Sequence, residues 1–118
     1  MDEIGVEELA AQLGEVTVLD VRGEGEFTGA AGYPCDARQG HIPGARHVDL
    51  SRLLDAGGVE AVRELVGEPD GTEVVAYCHS GSRSQLAAQI LTAAGYRARN
   101  YRGSWHEWSS LEGLPAEA

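Results

Sequence analysis

Residues 73–95 read EVVAYCHSGSRSQLAAQILTAAG, and their interpretation decides the fold. EVVAY (73–77) is a short apolar, β-branched run of the kind that forms a buried strand. It leads directly into Cys78, a loop of small residues, and Arg83. From residue 83 the pattern changes period. Leu86, Ala87, Ile90, Leu91 and Ala94 share one face of a helix over 83–94, and Gly95 stops it. Cys78 at the joint admits three readings: a buried structural thiol, a metal ligand, or a nucleophile whose loop holds an anion. A strand–loop–helix with Gly81 and two serines forms a ring of backbone N–H groups converging on the positive end of the helix. That ring and Arg83 favour the thiolate form of Cys78, the form that is nucleophilic.

The same alternation extends outward from this unit. VEELAAQL (6–13) places Val6, Leu9, Ala10 and Leu13 at helical spacing before Gly14, and VTVLDV (16–21) reads as a buried strand. The glycine-rich stretch 23–44 reads as loop with one helical turn near Glu24–Phe27. A short strand follows at Arg46–Val48, then helices over 49–57, capped by Asp49 or Ser51, and over 59–67. The last strand is Tyr96–Tyr101, and GSWHEWSS forms a short helix or turn. Strands alternating with helices predict one α/β domain over residues 1–118, with a parallel sheet covered on both faces. In such folds ligands bind beyond the carboxyl ends of the strands, which here carry Asp20-Val21-Arg22 and Cys78-His79-Ser80.

Composition narrows the chemistry. Nineteen acidic against nine basic residues give a formal charge of −10, which disfavours nucleic acid and anionic membrane surfaces as partners. All nine bases are arginine, so lysine Schiff bases and a Walker-type phosphate loop are excluded. No apolar run is long enough to cross a bilayer, and MDEIGVEELA lacks the features of a secretion signal. A cytoplasmic location and two reduced cysteines, Cys35 and Cys78, are the expectation.

The loop C-H-S-G-S-R-S (78–84) resembles the active-site loop of the rhodanese family of sulfurtransferases, often Cys-x-x-Gly-x-Arg-Ser after a buried strand. VLDVR (18–22), GHIPGARHV (40–48) and YRGSWHEW (101–108) fall in family order, so the resemblance runs from about Val6 to Ser110. It implies a central, mostly parallel five-stranded sheet with helices on both faces. Four residues separate Cys78 from Arg83, one fewer than in the related cell-cycle phosphatases and arsenate reductases, whose wider loop takes a tetrahedral oxyanion. The tighter ring suits a single sulfane sulfur on the cysteine.

The resemblance implies a thiosulfate sulfurtransferase, with Cys78 as nucleophile and His79, Ser80, Gly81, Ser82 and Arg83 expected to hold the persulfide. Asp20, Arg22, Arg38 and Trp105 are supporting residues. Arg22 would offset repulsion between an acidic protein and a dianionic donor. The insertion FTGAAGYPCDARQ (27–39) would approach the mouth of the site and present Arg38, and Trp105 would lie near the entrance. The implied partners are small sulfur anions such as thiosulfate, with cyanide or thiols as acceptors, and a sulfur-accepting protein. No metal or organic cofactor is implied. The alternative is a persulfide-carrier or protein-interaction module with weak turnover on small molecules. The insertion and the GSWHEW ending look like the catalytic half of tandem thiosulfate or mercaptopyruvate sulfurtransferases, but the loop matches neither donor's usual pattern, so the donor stays open.

The remaining chemistry-bearing residues read as follows. His41 within GHIPGA is architectural, whereas His79 lies in the loop, where its N–H is a stronger candidate than its imidazole. Cys35 reads as an exposed thiol rather than a resolving cysteine. A zinc site built from Cys35, His41, Cys78 and His79 lacks any recognised ligand spacing. GEGEFTG (23–29) misses the third glycine of a dinucleotide fingerprint.

Overall fold

The computed structural model describes residues 2–118. Its five strands are β1 (Asp2–Ile4), β2 (Thr17–Asp20), β3 (Arg46–His47), β4 (Glu73–Tyr77) and β5 (Arg97–Tyr101). Its six helices are α1 (Val6–Gln12), α2 (Glu24–Thr28), α3 (Leu50–Asp55), α4 (Val59–Val66), α5 (Ser82–Ala93) and α6 (Ser104–Ser110). The strands form one sheet in the order β1-β5-β4-β2-β3, and every pairing is parallel. The sheet is therefore wholly rather than mostly parallel.

Alternation along β4 distributes the core between two faces. Val74, Ala76 and Cys78 join Leu19, Val62, Val66, Ala87 and Leu91 on the face covered by α3, α4 and α5. Val75 and Tyr77 join Leu9, Tyr101, Trp105 and Trp108 on the face covered by α1 and α6. Five consecutive buried positions, Val74–Cys78, follow from a central strand covered on both sides. Because all strands run the same way, the ends of β2 and β4 lie side by side, with Asp20 opposite Tyr77.

Two features depart from the sequence reading. The first strand, β1, was not expected. It consists of three residues paired to β5 through Asp2–Arg99, Glu3–Asn100 and Ile4–Tyr101. The buried stripe of α5 is Ser84, Ala87, Ala88 and Leu91, while Leu86 is 40% exposed. Small side chains, Ser84, Ala87 and Ala88, face the sheet in the first turns, and Leu86 is left on the outer side.

Candidate active site

The loop after β4 owes its shape to Gly81. This residue has φ +100°, and a Cβ there would come within 2.5 Å of the Arg102 carbonyl oxygen. Both constraints demand glycine. The Gly81 carbonyl accepts from Asn100 Nδ2 at 3.2 Å, which ties the loop to β5. Backbone bonds from Trp105 N–H to Cys78 O (2.9 Å) and from His106 N–H to His79 O (3.0 Å) tie it to α6.

Cys78 is fully buried, and its sulfur sits at the start of α5. Sγ accepts from Gly81 N–H at 3.1 Å, Ser84 N–H at 3.4 Å and Ser84 Oγ–H at 3.4 Å. Burial opposes ionisation of the thiol. The hydrogen bonds from the Ser84 hydroxyl, then from the Ser84, Gly81 and Ser80 N–H groups, outweigh it and lower the Cys78 pKa. Ser84 thus gives the sulfur two hydrogen bonds, although it lies beyond residues 79–83 and belongs to the helix. Ser104, at the first turn of α6 with φ +56°, accepts from Cys78 N–H at 3.1 Å and donates to Tyr101 O. The motif pattern pointed to neither serine's role.

Arg83 lies at the start of α5 as expected, but its charge is committed. Its Nη1 and Nη2 donate to Glu26 Oε1 and Oε2 at 2.8 and 3.0 Å. The Glu26 hydrogen bonds raise the arginine pKa above the usual value. Burial works against the Glu26 carboxylate, yet the bonds from Arg83 and the Gly23 N–H leave its pKa lowered.

Asp20 and Arg22 are buried and joined, with Arg22 Nη2 donating to Asp20 Oδ2 at 2.7 Å and to Gly40 O at 2.6 Å. The guanidinium lies 5.6 Å from the Tyr77 ring centroid and 5.2 Å from that of Trp105. It does not reach solvent, which corrects the expectation that Arg22 offsets charge repulsion toward a donor. The pair instead anchors the GHIPGA turn beneath the strand ends. His41 is architectural there, its Nδ1 2.8 Å from Phe27 O and its ring stacked on Phe27.

Arg38 and Trp105 also require correction. Arg38 does not face the mouth of the loop. Its guanidinium donates to the Trp108, Ser109, Leu111 and Leu114 carbonyls and so closes the carboxyl end of α6. Trp105 is fully buried rather than at an entrance, and its Nε1 donates to Arg38 O at 3.0 Å. The insertion does reach the loop, through other residues. Tyr33 packs on the His79 ring, and His79 Nε2 lies 3.0 Å from Asp36 Oδ1 and 4.0 Å from Cys35 Sγ. The imidazole of His79 is therefore turned toward the insertion.

A thiol held by helix-start N–H groups is equipped for nucleophilic chemistry on a sulfur or another soft centre, with the developing anion stabilised by the same donors. Comparison with known proteins agrees in family. The rhodanese-like domain model matches residues 5–111. A Mycolicibacterium smegmatis protein named "Putative thiosulfate sulfurtransferase" is 36% identical over 126 residues, covering 94% of this chain and 46% of that protein. The sulfur carrier protein TtuD of Thermus thermophilus is 32% identical over 117 residues, covering 86% of this chain and 41% of its own. A crystal structure described as a probable thiosulfate sulfurtransferase superposes with a TM-score of 0.86 at 42% identity, over 98% of this chain and 47% of the other. The chain thus spans less than half the length of each of these relatives. The matched span takes in the loop, the Asp20–Arg22 pair and α6, and the chain belongs to the rhodanese-like domain family.

Proposed function

We propose that this chain, acting as one rhodanese domain, transfers sulfane sulfur through a persulfide on Cys78, with thiosulfate as the donor. The observation that carries the reading is the convergence of Gly81 N–H, Ser84 N–H and the Ser84 hydroxyl on a buried cysteine sulfur. The Cys78 thiolate attacks the outer sulfur of thiosulfate, the S–S bond of the donor breaks, and sulfite leaves with the electron pair. The outer sulfur of the persulfide then carries the negative charge, and the N–H groups at the start of α5 stabilise it. Cyanide or an acceptor thiolate attacks that sulfur, forms thiocyanate or a new persulfide, and regenerates the Cys78 thiolate.

A second reading has a specific observation behind it. Arg83 is the one arginine of the loop, and it is paired with Glu26 in a protein of net charge −10. A site with its cation so committed is poorly suited to rapid capture of a free dianion. It is better suited to receiving sulfur from, or delivering it to, a protein thiol brought in by contact. The sulfur-carrier name of the TtuD relative accords with that alternative.

Intact mass separates these readings. Wild type, Cys78→Ser and Cys35→Ser are each incubated with excess thiosulfate and then with cyanide. One added sulfur that cyanide removes, present in Cys35→Ser and absent in Cys78→Ser, is the expected result. Ready loading with poor catalytic turnover favours the carrier. Absence of loading from thiosulfate excludes it as donor.

A further inference from the structure

Beside the Cys78 loop, and outside the hydrogen bonds that hold its sulfur, four other side chains converge. Cys35 Sγ, Asp36, His79 and His106 each offer one donor atom, and these atoms all lie within 4.8 Å of one another. We propose that these four residues bind a borderline divalent transition-metal ion, such as Zn²⁺.

The dimensions suit such an ion. Zinc bonds to nitrogen, oxygen and sulfur imply tetrahedral donor–donor edges of about 3.3–3.6 Å. His79 Nε2 and His106 Nδ1 lie 3.0 and 2.9 Å from Asp36 Oδ1, and Cys35 Sγ lies 4.0 Å from His79 Nε2. Opening two edges by a few tenths of an ångström, and drawing in the exposed Cys35, gives a closed four-ligand set.

Two further observations distinguish this cluster from a simple hydrogen-bond network. Both imidazoles aim at the same carboxylate oxygen, while the other, Asp36 Oδ2, is buried without a partner among the described residues. A buried carboxylate oxygen left without a partner, beside two imidazoles that share the other, is an exception that calls for an explanation, and a bound cation supplies one. The scaffold is also rigid on the histidine side, because His106 N–H donates to His79 O at 3.0 Å. That bond locks the backbone of the loop to α6 and keeps the two rings together, their centroids 5.3 Å apart. The mixed sulfur, nitrogen and oxygen donors match zinc-type ions and not Mg²⁺ or Ca²⁺, which require oxygen.

Binding balances simply. The ion displaces the Cys35 thiol proton to solvent, and the neutral imidazoles carry their single protons on the nitrogens that do not ligate, Nδ1 of His79 and Nε2 of His106. His79 follows Cys78 directly, so the ion holds the loop and the insertion together whatever chemistry Cys78 performs. It also withholds Cys35 from oxidation. The four ligands come from one turn of the insertion, the loop and α6. Sequence spacing could not assemble them, and only Cys35 and His79 entered the zinc set weighed from the sequence.

The test is a titration of metal-stripped, reduced protein with Co²⁺ alone. One ion per chain is expected, with intense tetrahedral d–d bands and a thiolate-to-cobalt charge-transfer band, and equimolar Zn²⁺ should displace it. Cys78→Ser should bind identically. Cys35→Ser should lose the charge-transfer band, and His106→Gln should weaken binding by roughly tenfold or more. The Cys35 and His106 side chains are largely exposed, so both variants fold. A Co²⁺ spectrum lost in Cys78→Ser, binding unaffected by both Cys35→Ser and His106→Gln, or no binding at all would each overturn the assignment.

Discussion

Glu26 grips Arg83 at two points, Oε1 to Nη1 at 2.8 Å and Oε2 to Nη2 at 3.0 Å, so the only arginine in the Cys78 loop is neutralised by helix α2. An uncompensated Arg83 would focus anions on the loop, whereas the paired one presents little net field. Glu26→Gln keeps hydrogen-bonding capacity while removing the charge. It should raise the rate of thiosulfate loading on Cys78 at low salt by on the order of tenfold, the gain shrinking as ionic strength rises. Stopped-flow loading across a salt series measures this. A rate and salt dependence unchanged from wild type would show that Arg83 does not act on the donor.

The same pair should register in acid stability. The folded-state pKa of Glu26 is lowered, burial being outweighed by Arg83 and the Gly23 N–H, while Arg83 stays charged throughout. A depressed carboxylate contributes stability that is fully present above its unfolded pKa of about 4.3 and is lost as pH falls through the folded value. The stability difference between wild type and Glu26→Gln, measured by urea unfolding, should therefore be constant at neutral pH and shrink below about pH 4.3. A difference that does not change over that range would remove the charge from the account.

Ser84 offers a direct test of how the thiol is activated. Ser84→Ala removes the hydroxyl bond to Cys78 Sγ, the largest of the influences favouring the thiolate, but leaves the backbone N–H in place. The pH midpoint of Cys78 alkylation, followed by mass in Cys35→Ser protein with chelator present, should move upward. The rate at neutral pH should fall severalfold. An unmoved midpoint would assign the lowered pKa to the backbone groups alone.

How much of this was readable in the sequence depends on the range of the interactions. Val74–Cys78, Gly81 and the start of α5 are adjacent in the chain, so the strand, the turn and the helix announce themselves by period and by glycine. Strand β1 could not do so. Its three residues are DEI, and pairing with β5, ninety-odd positions away, is what makes them a strand. The place of Arg38 is hidden from the sequence for a related reason. Four carbonyls at the end of α6 consume its donors, and those lie some seventy residues downstream. The burial of Trp105 and the role of Ser104 likewise depend on how α6 packs beneath the loop. Leu86 shows the limit of periodicity alone, since a helical stripe fixes the spacing of the buried face but not which neighbouring stripe meets the sheet.

Asp20 and Arg22 lie under the site, and their contribution should be to stability. Both are essentially inaccessible, at 0% and 1% exposure, and the guanidinium also bonds Gly40 O and packs near Tyr77 and Trp105. Asp20→Asn leaves a buried cation without its counter-charge, since the Gly40 carbonyl supplies only a dipole. Breaking such a pair from one side costs about 3–5 kcal/mol, a large fraction of the stability of a small domain. Urea denaturation should show a loss of that size, with the midpoint moving and the slope preserved. Loading of Cys78 with sulfur, assayed well below the unfolding transition, should persist, because neither residue touches the sulfur. A variant as stable as wild type but unable to load would reverse the assignment and put the pair in the reaction itself.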